Sequence, residues 1–308
     1  MRLLSQTVAL TRCPTYDLGM VKDKVDELMR ALSFSVRCGQ KVLLKPNLVA
    51  ATRGDGLALT HPQVVRAVAE WHIDHGAALS VGDSPAFGSG ATVLERSGIT
   101  AALAGLPVRI ADFERRTRRV TESKLSVMVA SELFEHDLLI NLPKLKAHGQ
   151  MRVTMAVKNY FGVVVAWRKA LAHMRHGESG NFERLLVDLL HLLPEGVTLI
   201  DGIVAMHRSG PMTGDPLPVG VLGASENPVA LDTAMLAVIG LDPSMSPLWC
   251  ECARRQLPGC QLSALTFPLV RPSAVAVTDF VVPAVLGPIR FQVWRFFCNS
   301  LNKIFRVR

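Results

Sequence analysis

The chain of 308 residues has only six cysteines, and no two of them form a C-x-x-C pair. That excludes a disulfide-stapled secreted module and the common dithiol redox motif. Cys13, Cys38, Cys250, Cys252, Cys260 and Cys298 therefore read as reduced thiols of a cytosolic protein. Cys250, Cys252 and Cys260 offer three soft ligands, but a fourth ligand and a ferredoxin-type run are missing, so no metal is assigned and any cofactor stays unknown. No stretch reaches about 18 apolar residues, and the first ten residues hold no apolar region long enough for a signal peptide. Neither a membrane span nor secretion is expected. A P-loop is absent, and Gly88-Ser89-Gly90 lacks the last glycine of G-x-G-x-x-G.

What is present is apolar: 49% hydrophobic residues against 19% charged ones, enough for a large core. The net charge of +8 points to an anionic partner, whether a small acid, a phosphate, nucleic acid or a membrane. Five arginines between Arg109 and Arg119 read as a solvated strand end and loop. No recognition motif or interleaved aromatics accompany them, so no nucleic acid is expected.

Apolar runs alternate with segments of helical period, which predicts an α/β fold: a mostly parallel sheet with helices on both faces, a Rossmann-like three-layer architecture. Strands are expected at Val42 to Lys45, Ala78 to Val81, Val108 to Ala111, Leu138 to Leu142, Val197 to Ile200 and Val219 to Leu222. Helices are expected at His61 to His75, about Ser89 to Ser97, Phe182 to Leu193 and Pro228 to Ile239, with Thr60 as the N-cap of the first. The α/β pattern fills residues 1–243 and weakens after Asp242-Pro243, leaving 244–308 as an extension.

The chemistry-bearing residues follow the apolar runs. Lys45-Pro46-Asn47, Gly82-Asp83-Ser84, Lys144-Leu145-Lys146-Ala147-His148, Asp201-Gly202 and Asn227-Pro228 all sit at predicted strand ends, the edge where open α/β proteins bind ligands. A single lysine there is most simply a snorkelling side chain or half of a salt bridge. Lys45, Lys144, Lys146 and Lys158 converging would make a cationic pocket that depresses at least one lysine pKa, yielding a general base or Schiff-base nucleophile. His148 is an acid or base, or else a hydrogen-bonded loop histidine. Asp83 precedes a Pro/Gly-rich loop able to present backbone N–H groups to an anion, and is equally a turn former. A helix is expected from just after Gln150 to about Phe161, with Gly162 at its C′ position, returning Lys158 and Asn159 toward Lys146. His173 and His176, beside Arg168, Lys169 and Arg175, suit a lid over an anionic ligand. Asp188, Asp201 and Asp232 lie in apolar runs, need partners, and are expected to neutralise these lysines.

The motifs Lys45-Pro46-Asn47-Leu48-Val49, Thr60-His61-Pro62, Gly82-Asp83-Ser84, Ile140 to His148, Val157 to Gly162, Asp201-Gly202-Ile203, Gly210-Pro211 and Asn227 to Asp232, in this order, resemble the domain of unknown function 362 family of bacteria and archaea. The resemblance covers about residues 38 to 243. It implies an α/β domain whose shared polar residues are Lys45, Asn47, Asp83, Lys144, Lys146, His148, Lys158, Asn159, His173, Asp188, Asp201 and Asp232. Many relatives carry an iron–sulfur segment that this chain lacks, and no reaction is implied.

After Asp279 there is no acidic residue, while Arg290, Arg295, Lys303, Arg306 and Arg308 are basic. Wound as a helix, residues 288–308 place Ile289, Val293, Phe296, Phe297, Leu301 and Ile304 on one face, a composition suited to an anionic membrane surface, a second subunit or the chain's own core. The expectation is a cytoplasmic, optionally membrane-peripheral enzyme for a small carboxylate or phosphate compound. In it Lys45, Asn47, Lys144, Lys158, Asn159 and His173 bind substrate, Lys146 or His148 moves a proton, Asp83 and Asp201 set charge states, and Asp188 and Asp232 are charge partners. The alternatives are a redox protein with a bound cluster or metal and a non-catalytic anion-binding or membrane-peripheral protein.

Overall fold

The structure, a computed structural model, describes residues 4–50, 56–86, 88–165 and 180–287. His173, His176, Cys298 and the basic helix expected over 288–308 lie outside the described residues.

The strand-forming runs assemble into one sheet. Its strands are β1 (Ala9–Arg12), β2 (Lys41–Pro46), β3 (Ala78–Val81), β4 (Val108–Ile110), β7 (Leu138–Leu142), β10 (Thr198–His207) and β11 (Asp215–Ser225), in the order β1-β11-β10-β7-β2-β3-β4. From β10 to β4 all neighbours are parallel, and β11 and β1 add antiparallel pairs at one side. Alternation along β2 explains the layers. Val42 and Leu44 pack with α1 (Leu18–Ala31) and α2 (Pro62–Asp74), whereas Leu43 packs on the opposite face with α6 (Asn181–Leu192). Further along that face, α7 (Pro228–Val238) covers β10 and β11 through Leu231 and Met235 against Ile200 and Val221. The fold is α/β, mostly parallel and three-layered. No helix among the described residues is long and apolar enough to cross a membrane.

Several elements differ from the sequence expectations. Lys144–His148 is itself a strand, β8, which continues the course of β7 past Pro143 and pairs with β10. The helix expected after Gln150 is replaced by β9 (Arg152–Thr154), which turns back antiparallel along β8, and by the short α5 (Ala156–Asn159). His148 causes part of this: its Nδ1 accepts from the Gln150 and Met151 amides and turns the chain there. The N-cap of α2 is His61, whose Nδ1 accepts from Gln63 N at 3.2 Å. Thr60 instead accepts from Asn47 N and donates to the Leu142 carbonyl. Helices α3 (Gly90–Arg96) and α4 (Ile99–Ala102) lead into β4, and the arginine-rich segment continues into a hairpin whose first strand, β5 (Arg116–Val120), is mostly exposed while Val127, Val129 and Ala130 of β6 (Ser126–Ala130) are buried.

Residues 244–287 fold over the α/β unit. In α8 (Pro247–Arg254), the Trp249 indole donates to Thr233 Oγ1 at 2.9 Å, while Leu265, Val275 and Phe280 are buried with Leu231 and Val238. Cys250 and Cys252, two apart on α8, face apart, one exposed and one buried. Among the described residues no three His, Cys, Asp or Glu side chains are grouped to hold a metal.

Asp232 departs from its expected role of neutralising a lysine. Buried on α7, it accepts from Ala156 N (2.7 Å) and Val157 N (3.1 Å) and so caps α5. Burial pushes its pKa from 3.8 to about 7, against those two hydrogen bonds. The folded chain then keeps a proton that the unfolded chain sheds above 3.8, so this contribution to stability is complete at low pH and is lost as pH rises through about 7. Asp232→Asn is predicted to flatten that part of the pH dependence of Tm, and an unchanged slope would refute it. Asp232→Ala, which orphans two amides, should cost about 2–4 kcal/mol in urea unfolding.

Candidate functional site

At the carboxyl edge of the parallel strands, cations and carboxylates are withdrawn from water together. Lys45, the penultimate residue of β2, is fully buried with its Nζ 2.9 Å from Asp83 Oδ1. Asp83 Oδ2 also accepts from Leu48 N at 3.0 Å, which ties the chain leaving β2 to the turn leaving β3. Beside Lys45 in the sheet, Asn141 accepts from Asn159 Nδ2 at 2.7 Å, and the same amide reaches the Lys45 carbonyl at 3.4 Å. Both amide hydrogens of Asn159 are thus committed to the scaffold, so its expected place on the substrate is corrected to one on the strand ends.

Strand β8 supplies the second set. Because side chains alternate in a strand, Lys144, Lys146 and His148 share one face while Leu145 and Ala147 enter the core behind it. Lys144 Nζ lies 2.9 Å from Asp201 Oδ2 and 2.6 Å from the Tyr16 hydroxyl, which donates to Asp201 Oδ1 at 2.9 Å and accepts from Val204 N. The His61 amide donates to Asp201, and the His61 ring stacks on Tyr16 at 3.6 Å. Burial pulls both Lys45 and Lys144 below the ordinary ammonium range despite their carboxylates, and it raises the Tyr16 phenol, with help from the Asp201 charge.

Lys146 has no such carboxylate. It is buried, and among the described residues its Nζ meets one partner, the Ala58 carbonyl at 2.7 Å. Burial first, then the charges of Lys158, Lys144 and Lys45, push its pKa well below the usual value, against a smaller opposing effect of Asp83. Lys158 on α5 is only partly buried, lies over the Phe161 ring, and is lowered by desolvation to about 8. The four lysines expected to converge do so. Two are neutralised by Asp83 and Asp201, and two have no carboxylate among the described residues.

His148 is buried, and its Nδ1 lone pair is taken by two backbone amides. The hydrogen bonds assign its proton to Nε2, which makes the ring a neutral hydrogen-bond donor there rather than a ready proton acceptor. Asn47 lies beside the cluster with a buried Oδ1 that meets no hydrogen-bond partner among the described residues. Thr154, directly across from Lys146 in β9, has a buried Oγ1 in the same condition. Asp188 is remote from the site and pairs with Arg255 Nη1 at 2.5 Å and with Ser123, not with a lysine. Tyr16, His61, Asn141 and Thr154 were not among the sequence candidates. Only the even spacing of Lys144, Lys146 and His148 signalled that any of this face would be shared.

Gly162, expected as a helix C′ residue, is needed here for space. A Cβ on it would lie 1.9 Å from Asp83 Oδ1 and 2.3 Å from Lys45 Nζ, and its carbonyl accepts from Ser84 N. Gly162→Ala is predicted to split the Lys45–Asp83 pair and to cost about 2 kcal/mol or more in the urea midpoint. A variant as stable as the parent would disprove this packing.

Comparison with known proteins adds a lineage. A thylakoid-associated protein of Synechocystis sp., sll1697, is 37% identical over 309 residues, covering 98% of this chain and 95% of that protein. Among solved structures, a Thermotoga maritima protein matches 68% of this chain with a TM-score of 0.43 and 12% identity. The lactate racemase apoprotein of Thermoanaerobacterium thermosaccharolyticum matches 77% with a TM-score of 0.47 and 10% identity. The matches span 55% and 58% of those two chains. A family model described as "Domain of unknown function (DUF362)" fits residues 42–237, a range that holds every lysine and aspartate of the site. The chain belongs to this family.

Proposed function

We propose that the protein is an enzyme for a small anionic compound, a carboxylate or phosphate, with Lys158 as the main counter-charge and Lys146 as the reactive amine. The observation that carries this reading is the charge imbalance: among the described residues four converging lysines are paired with two carboxylates, and the surplus falls on Lys146 and Lys158. A buried surplus of positive charge is costly unless an anion enters or a proton leaves. Lys158, at the partly exposed end, keeps its proton near neutrality and suits the anion. Lys146, further in, gives up its proton and suits chemistry. Lys45 and Lys144, held by Asp83 and Asp201, act as fixed structural cations.

The reading predicts that millimolar phosphate or a small carboxylate raises the Tm of the full-length protein and that Lys158→Ala removes the effect. Since the anion binds the protonated amine, the shift should be complete below pH 8 and fade as pH rises through about 8. A shift retained in Lys158→Ala would sink the assignment.

A second reading, compatible with the first, places the cytoplasmic protein at a membrane surface. The relative named thylakoid-associated, similar over nearly its full length, and the basic, apolar sequence of residues 288–308 support it. The full chain should then co-sediment with anionic liposomes and lose that binding when Arg295, Lys303 and Arg306 are changed to Glu. Unchanged sedimentation after deletion of residues 288–308 would rule the reading out.

A further inference from the structure

We propose that Lys146 is a covalent site: its amine condenses with the carbonyl carbon of an anionic aldehyde or ketone, such as a 2-oxo acid or a phosphorylated sugar, to form an imine. This inference rests on the anion-binding reading above and names the substrate class for it.

Three observations place the chemistry at Lys146 rather than at the other lysines. Lys45 and Lys144 have their Nζ atoms locked against Asp83 and Asp201, and Lys158 sits at the partly exposed end. Lys146 alone of the four is both buried and without a carboxylate among the described residues, with one carbonyl, that of Ala58, receiving one of its hydrogens. A neutral amine can make that hydrogen bond and still keep its lone pair. Burial beside other cations is the standard route to a nucleophilic lysine. The strand geometry supplies the rest of the site. Thr154, paired with Lys146 across β8 and β9, projects on the same face and carries a buried hydroxyl that has no hydrogen-bond partner among the described residues. That hydroxyl suits the oxygen of an incoming carbonyl, and Lys158 suits the anionic group attached to it.

The step balances without an oxidant or reductant. The Nζ lone pair forms the C–N bond as the C=O π pair moves onto oxygen, and one proton passes from the new ammonium to that oxygen, giving a carbinolamine whose hydroxyl Thr154 can hold. The hydroxyl then takes one proton from solvent and departs as water as the nitrogen lone pair forms the C=N bond. A protonated imine remains on Lys146, able to withdraw electrons from the neighbouring carbon.

The test is reductive trapping. Full-length protein is incubated with pyruvate and sodium cyanoborohydride, and the adduct is located by peptide mass spectrometry, with the phosphate-induced Tm shift measured on the same preparation. The expected result is one dominant adduct, on the peptide containing Lys146, formed at least about tenfold faster than on the exposed Lys124, because each unit of pKa lowering gives tenfold more free amine. Thr154→Val, which keeps the shape and removes the hydroxyl, should slow trapping while leaving the phosphate shift in place. Adducts on surface lysines alone, with the phosphate shift intact, would overturn the imine and leave the anion site standing. No adduct and no shift with phosphate or pyruvate would overturn both.

Discussion

The structure turns on how ammonium groups are kept out of water. Lys45 and Lys144 are among the most deeply buried large side chains of the described protein, each 2.9 Å from a carboxylate, one in the turn after β3 and one within β10. A buried ion pair contributes little net stability, because desolvation offsets most of its Coulombic gain, but losing one partner strands a charge in a poor dielectric. Such pairs therefore fix geometry. Lys45–Asp83 joins β2 to the turn after β3, and Lys144–Asp201 joins β8 to β10, with Tyr16 and His61 closing the remaining hydrogen-bonding positions. The glycine at position 162 follows from the first of those pairs.

The break at Pro143 extends the effect. An ordinary parallel strand would end near Leu142 and hand over to a helix. Here the chain resumes as β8 beside β10, carrying Lys144, Lys146 and His148 on one face past the usual sheet edge. The rigid strand brings Lys146 into the field of three other lysines, an arrangement that a flexible loop would relax by letting the side chains separate. Its pKa is then held well below the usual ammonium range, by burial first and next by the charges of Lys158 and Lys144.

Much of the layered fold was legible in the sequence because runs such as Val42-Leu43-Leu44 and Leu138-Leu139-Ile140 can only be buried strands when helical segments flank them. The lysine convergence was legible for a related reason: a charged residue directly after such a run must sit where the sheet ends. What escaped the sequence depends on partners chosen in space. Tyr16 and Lys144 are 128 residues apart, and no local pattern ties them together. Asp188 and Asp232 looked alike as acids in apolar helices, yet one met Arg255 and the other met two backbone amides. Thr60 and His61 are both able to cap α2, and the cap fell to His61 because Thr60 was already occupied by Asn47 and Leu142.

The hydroxyl of Tyr16 and the carboxylate of Asp201 are separated by 185 residues, and the strand with which β1 pairs, β11, comes later still in the chain. Contacts of such long sequence separation form late, since the entropy of closing the loop must be met before they contribute. A chain still emerging from the ribosome carries Lys45, Lys144, Lys146 and Lys158 well before β10 and Asp201 have been made, so its central lysines stay hydrated and the strand ends stay loose. This edge is thus the last part of the sheet to become dry, and a Lys146 withdrawn from water is a mark of a chain that has finished folding.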